Sequence, residues 1–218
     1  MPRNAFPFPA TSTRRHALRA LIAAAFLPVA LAAAQTSVLV PTPSQAEGPF
    51  YPRTLPADRD NDLTQIAGRA NRALGTPLYL SGIVRARDGR PLARTTVELW
   101  QCDVHGRYHH AGDEGLPRDD NFQGFGVAVT DAEGRYAFKT IRPVRYAGRP
   151  PHLHVRLRTQ DGAVLTTQIY ITGDSTDGDP VLGYSPTGTR GLLSMSLAPA
   201  TGHEPGALAG AFDFVLRQ

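Results

Sequence analysis

The sequence has almost no cysteine and no apolar run long enough to cross a membrane comfortably. Cys102 is the one cysteine in 218 residues, so an internal disulfide is excluded. A small buried side chain is its simplest interpretation, and an intermolecular disulfide is the alternative. The apolar run at residues 21–31 is shorter than the roughly 20 residues that a membrane helix needs. With 41% hydrophobic and 19% charged residues, the composition is that of one globular domain with a substantial core.

An excess of positive charge is also missing once residues 1–34 are set apart. This segment has four basic residues and no acidic one, so the 23 basic residues fall to 19, which equals the 19 acidic residues. The four are Arg3, Arg14, Arg15 and Arg19. Because the rest of the chain is formally neutral and has no basic stripe, we predict no nucleic-acid partner and no anionic-membrane partner.

Residues 1–34 are typical of a secretory signal. Arg14 and Arg15 precede an alanine-rich apolar segment that ends in three alanines. Paired arginines favour the twin-arginine variant of such signals, which exports proteins already folded and often already loaded with a cofactor. We therefore expect a bacterial protein that is exported to the periplasm or secreted, without membrane contact after signal removal.

The remainder predicts an all-β fold, an antiparallel β-sandwich. Residues 35–56 are rich in Pro, Ser and Thr, and residues 35–77 are expected to form an irregular N-terminal arm. Residues 78–218 are expected to form the β-sandwich domain. The strands are predicted as three hairpins followed by one further strand. They are 78–87 with 95–101, 125–130 with 136–141, 152–158 with 164–171, and finally 211–216.

Two segments are too long to be simple connections between strands. Residues 106–123 and 173–189 are rich in Gly, Asp and Pro. Long loops on a rigid scaffold are where functional sites usually lie, so we expect both to border the site.

A metal site is indicated by a nine-residue segment that runs from Tyr146 to His154. In an extended strand, His152 and His154 project from the same face with Cα atoms roughly 6–7 Å apart, close enough to share one ion. Leu153 then points to the opposite, core face. A lone His-x-His pair is more often an exposed polar strand edge, so the interpretation depends on the neighbouring residues.

Four candidate ligands of two kinds stand out: Tyr108, Tyr146, His152 and His154. Phenolate is a hard anionic donor that favours ferric iron over zinc or cuprous copper. Two tyrosinates and one hydroxide would balance three positive charges, and a buried pocket tolerates such a neutral centre. This donor set differs from the facial triad of two histidines and one carboxylate in ferrous oxygenases.

The order of several motifs resembles the intradiol ring-cleavage dioxygenases, most closely protocatechuate 3,4-dioxygenase-like chains. The resemblance extends from Glu47-Gly-Pro-Phe to the terminal Phe212-Asp-Phe-Val-Leu. Its motifs are Trp100-Gln-x5-Arg-Tyr108, Asn121-Phe-x-Gly, Thr130-Asp-x2-Gly-x-Tyr, Tyr146-x2-Arg-x2-His-x-His154 and Thr167-Gln-x-Tyr-x2-Gly-Asp.

This resemblance implies a β-sandwich with non-haem Fe(III) at Tyr108, Tyr146, His152 and His154. It also implies that Arg149 stabilises negative charge on the substrate ring carbon that meets dioxygen, and that Gln168 lies near the substrate and the histidines. Tyr146 is implied to leave the metal and act as general base. The implied substrates are a catechol-type aromatic and O2, and the implied product is a cis,cis-muconate-type diacid.

Taken singly, two of these residues have simpler interpretations. Arg149 is equally suited to pair with a surface carboxylate, and Gln168 to satisfy a buried backbone group. Trp100 is expected in the core. Only two residues separate Tyr146 from Arg149, where family members of central aromatic catabolism have a longer loop, so a more open pocket is expected.

Two other functions stay open at this point. One is a periplasmic module that binds catechols or phenolics without turnover, and the other is a metalloenzyme with copper or zinc at the histidines. The substrate's ring substituents are not predicted. Both a homo-oligomer and a hetero-oligomer are compatible with the sequence.

Overall fold

Short strands with alternating apolar and polar side chains build two sheets around one core. The computed structural model describes residues 38–183 and 188–218, so the predicted signal at 1–34 lies outside the described residues. In these ranges, no helix is long and apolar enough to cross a membrane. The strands are β1 Pro77–Ala86, β2 Thr96–Trp100, β3 Phe125–Val129, β4 Arg135–Ile141, β5 His152–Arg158, β6 Val164–Ile171, β7 Ser194–Met195, β8 Leu197–Pro199, β9 Leu208–Ala211 and β10 Phe214–Leu216. The helices are α1 Pro180–Gly183 and a 3-10 turn at Arg190–Leu193.

The strands form two five-stranded sheets, which confirms the predicted all-β sandwich. In the first sheet, β1 lies between β4 on one side and β9 and β10 on the other, and β8 pairs with β9. The second sheet has the order β3-β2-β5-β6-β7. The longer pairs are antiparallel as predicted, but β1–β9, β1–β10 and β6–β7 are parallel, so both sheets are mixed.

One of the three predicted hairpins is present and two are wrong. β5 and β6 pair as predicted, but β1 and β2 lie in different sheets, and so do β3 and β4. After the turn at Asp88 and Gly89, the chain folds back on β1 only briefly, with Leu92 N donating to Val84 O at 2.8 Å. Arg94, at a left-handed φ of 54°, then precedes β2 in the second sheet. A turn motif specifies a local reversal and does not specify the sheet that the next strand joins.

The core between the sheets is filled by the inward side chains of both. On β5, Leu153, Val155 and Leu157 are at most 1% exposed. Leu80 and Val84 of β1 belong to the same cluster. Burial of each such side chain contributes about 1.5–3 kcal/mol relative to exposure, so this cluster anchors β5.

Residues 38–76 run over the outside of the sandwich as an irregular arm. Residues 59–63 hydrogen-bond to the edge strands of both sheets: Val127 N of β3 donates to Arg59 O at 2.9 Å, and Lys139 N of β4 donates to Asn61 O at 2.8 Å. The arm therefore joins the two sheets along their edge. Further towards the N-terminus, Gln45 N donates to Thr166 O of β6 at 2.9 Å, which places the arm along the edge of β6 in the second sheet.

At Gly82 of β1, the main chain of a neighbouring segment approaches too closely for any side chain. A Cβ atom added there would lie 1.8 Å from the main-chain oxygen of Phe212, which also accepts the Tyr136 hydroxyl at 2.7 Å. We expect Gly82→Ala to lower the free energy of unfolding by about 3 kcal/mol, because a main-chain carbonyl cannot move aside cheaply. Urea unfolding would measure it. Gly191→Ala, where an added Cβ meets nothing within 4 Å, is the control, and equal stability of the two variants would contradict the close approach.

Candidate metal centre

The register of the second sheet places the two strand histidines side by side on its outer face. His152 and His154 are each 2% exposed, and their Nε2 atoms are 3.1 Å apart. Two nitrogen ligands at roughly 2.1 Å from one ion, at about a right angle, would be about 3 Å apart. His152 Nδ1 hydrogen-bonds the Pro150 carbonyl at 2.7 Å, so Nδ1 carries the proton and Nε2 keeps its lone pair.

Both imidazoles are neutral at neutral pH, which is the form that binds a metal. Burial and the nearby Arg149 guanidinium lower the pKa of His152 to about 4. Burial, then His152 and Arg149, hold the pKa of His154 well below its usual range. Trp100 stacks on the His154 ring, with centroids 4.9 Å apart, and is itself 1% exposed. Trp100 is thus buried, but in the cluster with Tyr108 on the outer face of the sheet and not in the core between the sheets, where it was expected, and it fixes the plane of His154.

Tyr108 reaches the histidines from the loop between β2 and β3. Its side chain is 2% exposed, and its hydroxyl has no hydrogen-bond partner. Phe50 of the arm stacks on its ring at a centroid distance of 4.6 Å, and Tyr108 N donates to Asp113 Oδ2 at 2.7 Å. A buried hydroxyl without a partner is costly, so this oxygen calls for a further partner. Burial raises the pKa of Tyr108 well above its usual range, so only a nearby cation would convert it to phenolate.

Tyr146 enters from a tight turn that also carries Arg149. Arg149 N donates to Tyr146 O at 2.7 Å, and both central residues have positive φ, 44° at Ala147 and 79° at Gly148. These values define a two-residue type I′ turn. The half-buried Tyr146 ring lies 5.0 Å from that of Tyr108 and 5.7 Å from that of His152, centroid to centroid. The structure therefore brings all four predicted ligands together.

The donor set fits a hard metal ion. Two imidazole rings and two phenol rings lie against one another, and the Tyr108 hydroxyl is buried without a partner. Within residues 38–183 and 188–218, no three His, Cys, Asp or Glu side chains come together as a ligand group. Phenolate oxygens favour a trivalent ion such as Fe(III), so the side chains present suit that ion better than zinc.

Arg149 is the centre of a buried hydrogen-bond network beside the histidines. Its Nη1 donates to His152 Nε2 at 3.1 Å, and its Nη2 donates to Gln168 Oε1 at 2.7 Å and to the Tyr170 hydroxyl at 3.1 Å. Its carboxylate partner is the buried Asp179, so pairing with a surface carboxylate, the simpler interpretation, is wrong. Gln168 Nε2 also donates to Ala46 O at 2.9 Å, so Gln168 satisfies a backbone group and orients Arg149 at once.

Three contributors were not predicted from the sequence: Phe50, Tyr170 and Asp179. Tyr170 lies opposite His152 across β5 and β6, and it belongs to the Thr-Gln-x-Tyr motif that was already singled out. Phe50 lies in the Glu-Gly-Pro-Phe segment. That segment contributed to the family resemblance but did not predict the contact of Phe50 with Tyr108. Asp179 lies in an Asp-rich loop in which no local pattern distinguishes one carboxylate from another.

A cavity of about 710 Å3 borders the centre on the side of Tyr108. Phe50, Trp100 and Phe122 are among its walls, and residues of the arm and of the loop between β2 and β3 close it. Tyr146, Arg149 and the two histidines do not line it. It is therefore a recess behind Tyr108 rather than the space between the four rings.

Comparison with known proteins identifies related chains. A family model described as "Dioxygenase" matches residues 46–218. The protocatechuate 3,4-dioxygenase beta chain of Burkholderia cepacia is 39% identical over 168 residues, which cover 72% of this chain and 72% of that protein. Catechol 1,2-dioxygenase 1 of Acinetobacter lwoffii is 31% identical, and the match covers 61% of this chain and 47% of that enzyme.

A solved structure shows the same fold. It is the dioxygenase domain of a dioxygenase carbohydrate-binding protein fusion from Streptomyces sp. SirexAA-E, with a TM-score of 0.61 and 31% identity. The match covers 82% of this chain and 99% of that chain.

The metal-free protein should lose stability as pH falls from about 6.5 to about 4. The unfolded chain gains a proton at His152 in this range and the folded chain does not, because the folded pKa is lowered to about 4. The part of the unfolding free energy that depends on the neutral state of His152 is fully present above pH 6.5 and is lost below the folded pKa. It amounts to about 3 kcal/mol. Urea unfolding at several pH values should show a shallower dependence for His152→Gln. A wild-type slope in His152→Gln would refute the assignment.

Proposed function

This chain belongs to the intradiol ring-cleavage dioxygenase family of oxidoreductases, and on that premise we propose that it cleaves a catecholic ring between the two hydroxylated carbons with non-haem Fe(III). O2 is the second substrate and a cis,cis-muconate-type diacid is the product. The observation that carries the proposal is the convergence of two tyrosines and two neutral histidines around a buried hydroxyl that has no other partner.

The proposed ligands are Tyr108, Tyr146, His152 and His154. When bound, Fe(III) would act as a Lewis acid that favours loss of both catechol protons and draws electron density from the ring. The four side chains would neutralise most of its charge, and the neutral imidazoles need no deprotonation before binding.

Tyr146 is the proposed general base. It is only half-buried, whereas Tyr108 is 2% exposed, so Tyr146 is the phenol that a substrate can reach. Burial raises the pKa of Tyr146, although Arg149 opposes this, so its phenolate is a strong base for a catechol proton. Tyr108, stacked on Phe50, stays in place.

Arg149 and Gln168 are the proposed catalytic partners of the ring. The guanidinium is 12% exposed and lies against His152, where water is scarce and a fixed positive charge acts strongly on developing negative charge. Gln168 Oε1 accepts from Arg149 Nη2 and so fixes the direction in which that charge points. Trp100 and Phe50 exclude water from the opposite side.

The substrate is proposed to be a catecholic aromatic, as the names of the relatives suggest for their own reactions. The two-residue turn between Tyr146 and Arg149 adds little bulk beside the site. A catechol with a ring substituent is therefore within the proposed substrate class.

Visible spectroscopy of the purified, iron-loaded protein tests the function. We expect a tyrosinate-to-iron charge-transfer band that shifts when catechol or protocatechuate is added without oxygen and returns as an ultraviolet-absorbing diacid forms in air. Tyr108→Phe should weaken and shift the band, because only Tyr146 remains as a phenolate ligand, and should lower turnover by about 100-fold or more. Tyr79→Phe, at a tyrosine of β1 in the other sheet, should keep both the band and turnover.

Each other outcome has a definite meaning. A spectral shift without product would contradict the proposed ring cleavage and favour a catechol-binding module. A protein that stays colourless with iron, or holds zinc or copper equally well after Tyr108→Phe, would overturn the ferric tyrosinate centre.

Export by the twin-arginine route is a further part of the proposal, supported by Arg14, Arg15 and the apolar segment that follows them. Replacing both arginines by lysine should leave the protein in the cytoplasm of a bacterial host, because the pair is read by the export machinery. Cell fractionation with immunodetection would measure this. Periplasmic protein from the double-lysine variant would contradict it.

A further inference from the structure

The side chain of Asp179 is buried in contact with Arg149, although the two residues lie 30 positions apart in the chain. Asp179 has 0% of its side chain exposed, and Arg149 has 12%. The carboxylate accepts from Nη2 at 3.0 and 3.2 Å and from Nε at 3.3 Å, so it lies along one edge of the guanidinium. A charge pair closed from water in this way is held more firmly than a surface ion pair.

Asp179 is itself fixed by the main chain around α1. Val181 N donates to Asp179 Oδ1 at 2.8 Å, and Gly183 N donates to Asp179 O at 2.9 Å. Burial would raise the pKa of Asp179, but the hydrogen bonds from Arg149 and Val181 outweigh burial and hold this pKa below its usual range. The carboxylate is therefore an anchored anion that sets the position of its partner.

Because the guanidinium is planar, a carboxylate fixed along one edge also determines where its remaining nitrogen points. Because Asp179 occupies the Nε and Nη2 edge, Nη1 is directed at His152 Nε2, 3.1 Å away. Gln168 and Tyr170 also accept from Nη2, but both are uncharged acceptors. Loss of the Asp179 charge would leave a largely buried cation without a charged partner, free to turn away from the histidines.

We propose that Asp179 is the positioning residue for Arg149: it holds the guanidinium in the orientation that ring cleavage requires and acts through Arg149 alone. This inference rests on the proposed function. It assigns to Asp179, in the loop between β6 and β7, a part in the chemistry that does not depend on contact with the ring.

A double-mutant cycle tests the role with Asp179→Asn, Arg149→Gln and both together. Asp179→Asn should lower kcat by about 10–100-fold, while the affinity for catechol in the anaerobic spectral titration changes by less than about threefold. The double variant should be no slower than Arg149→Gln, because the two residues act as one unit. Losses that multiply in the double variant, or wild-type kcat in Asp179→Asn, would overturn the proposal.

The thermal unfolding of the iron-free proteins gives a second readout that needs no turnover. In the wild type, the two single variants and the double variant, the losses of unfolding free energy at positions 149 and 179 should not be additive. Additive losses would also overturn the proposal. Asp174→Asn is the matched control, because Asp174 lies in the same loop and pairs with Arg142 at 2.9 Å instead. It should keep kcat within about threefold, since removal of a partly exposed ion pair costs little. A loss as large as that of Asp179→Asn would indicate a general effect of the loop and refute the specific role.

Failure of this inference is distinguishable from failure of the proposed function. A wild-type protein that binds iron and catechol but makes no product overturns the function, and the role of Asp179 falls with it. A wild-type protein that turns over, combined with independent losses at the two positions, overturns the role of Asp179 only.

Discussion

The alternation of side chains along β5 is the constraint on which both the core and the candidate centre depend. Leu153, Val155 and Leu157 fill the interior, and His152 and His154 leave the same strand on its other face. The apolar row fixes the register, because a shift of one residue would place imidazoles in the core and leucines outside. In this register, His154 lies between Trp100 and Gln168 on the neighbouring strands. The geometry of the two histidines is thus held by the hydrophobic core behind them.

The outer face of the second sheet would be open to water without the segments that cover it. The arm is held there by charged and aromatic contacts: Arg156 pairs with Glu47 at 3.2 Å and lies over the Tyr51 ring, and Tyr51 donates to Glu98 at 3.1 Å. These contacts bring Phe50 onto Tyr108. The core thus fixes the histidines, and the cover fixes the tyrosines and excludes water, so disruption of either layer would weaken the centre.

The sequence was most informative where local rules decide the structure. Period-two alternation located β5 and β6, and the spacing within one strand placed His152 and His154 together. Tyr108 and Tyr146 stood out by their chemistry, but only the motif resemblance assigned them to the same centre, since nothing local shows that two loops approach each other. The sheet assignments of β2 and β4 failed because pairing depends on contacts between distant parts of the chain. Asp179 was missed for the same reason, because among three aspartates of its loop only tertiary packing selects the one that meets Arg149.

The two-residue turn between Tyr146 and Arg149 has a consequence for time scales. Both ends of the turn are joined by a 2.7 Å main-chain hydrogen bond, and its central residues hold left-handed conformations, so the backbone there has little room to swing. In the proposed reaction, Tyr146 would then move away by rotation of its side chain alone. Such rotations take picoseconds to nanoseconds, whereas collective loop movements take up to microseconds. Release of this phenol would therefore need no collective movement of the loop.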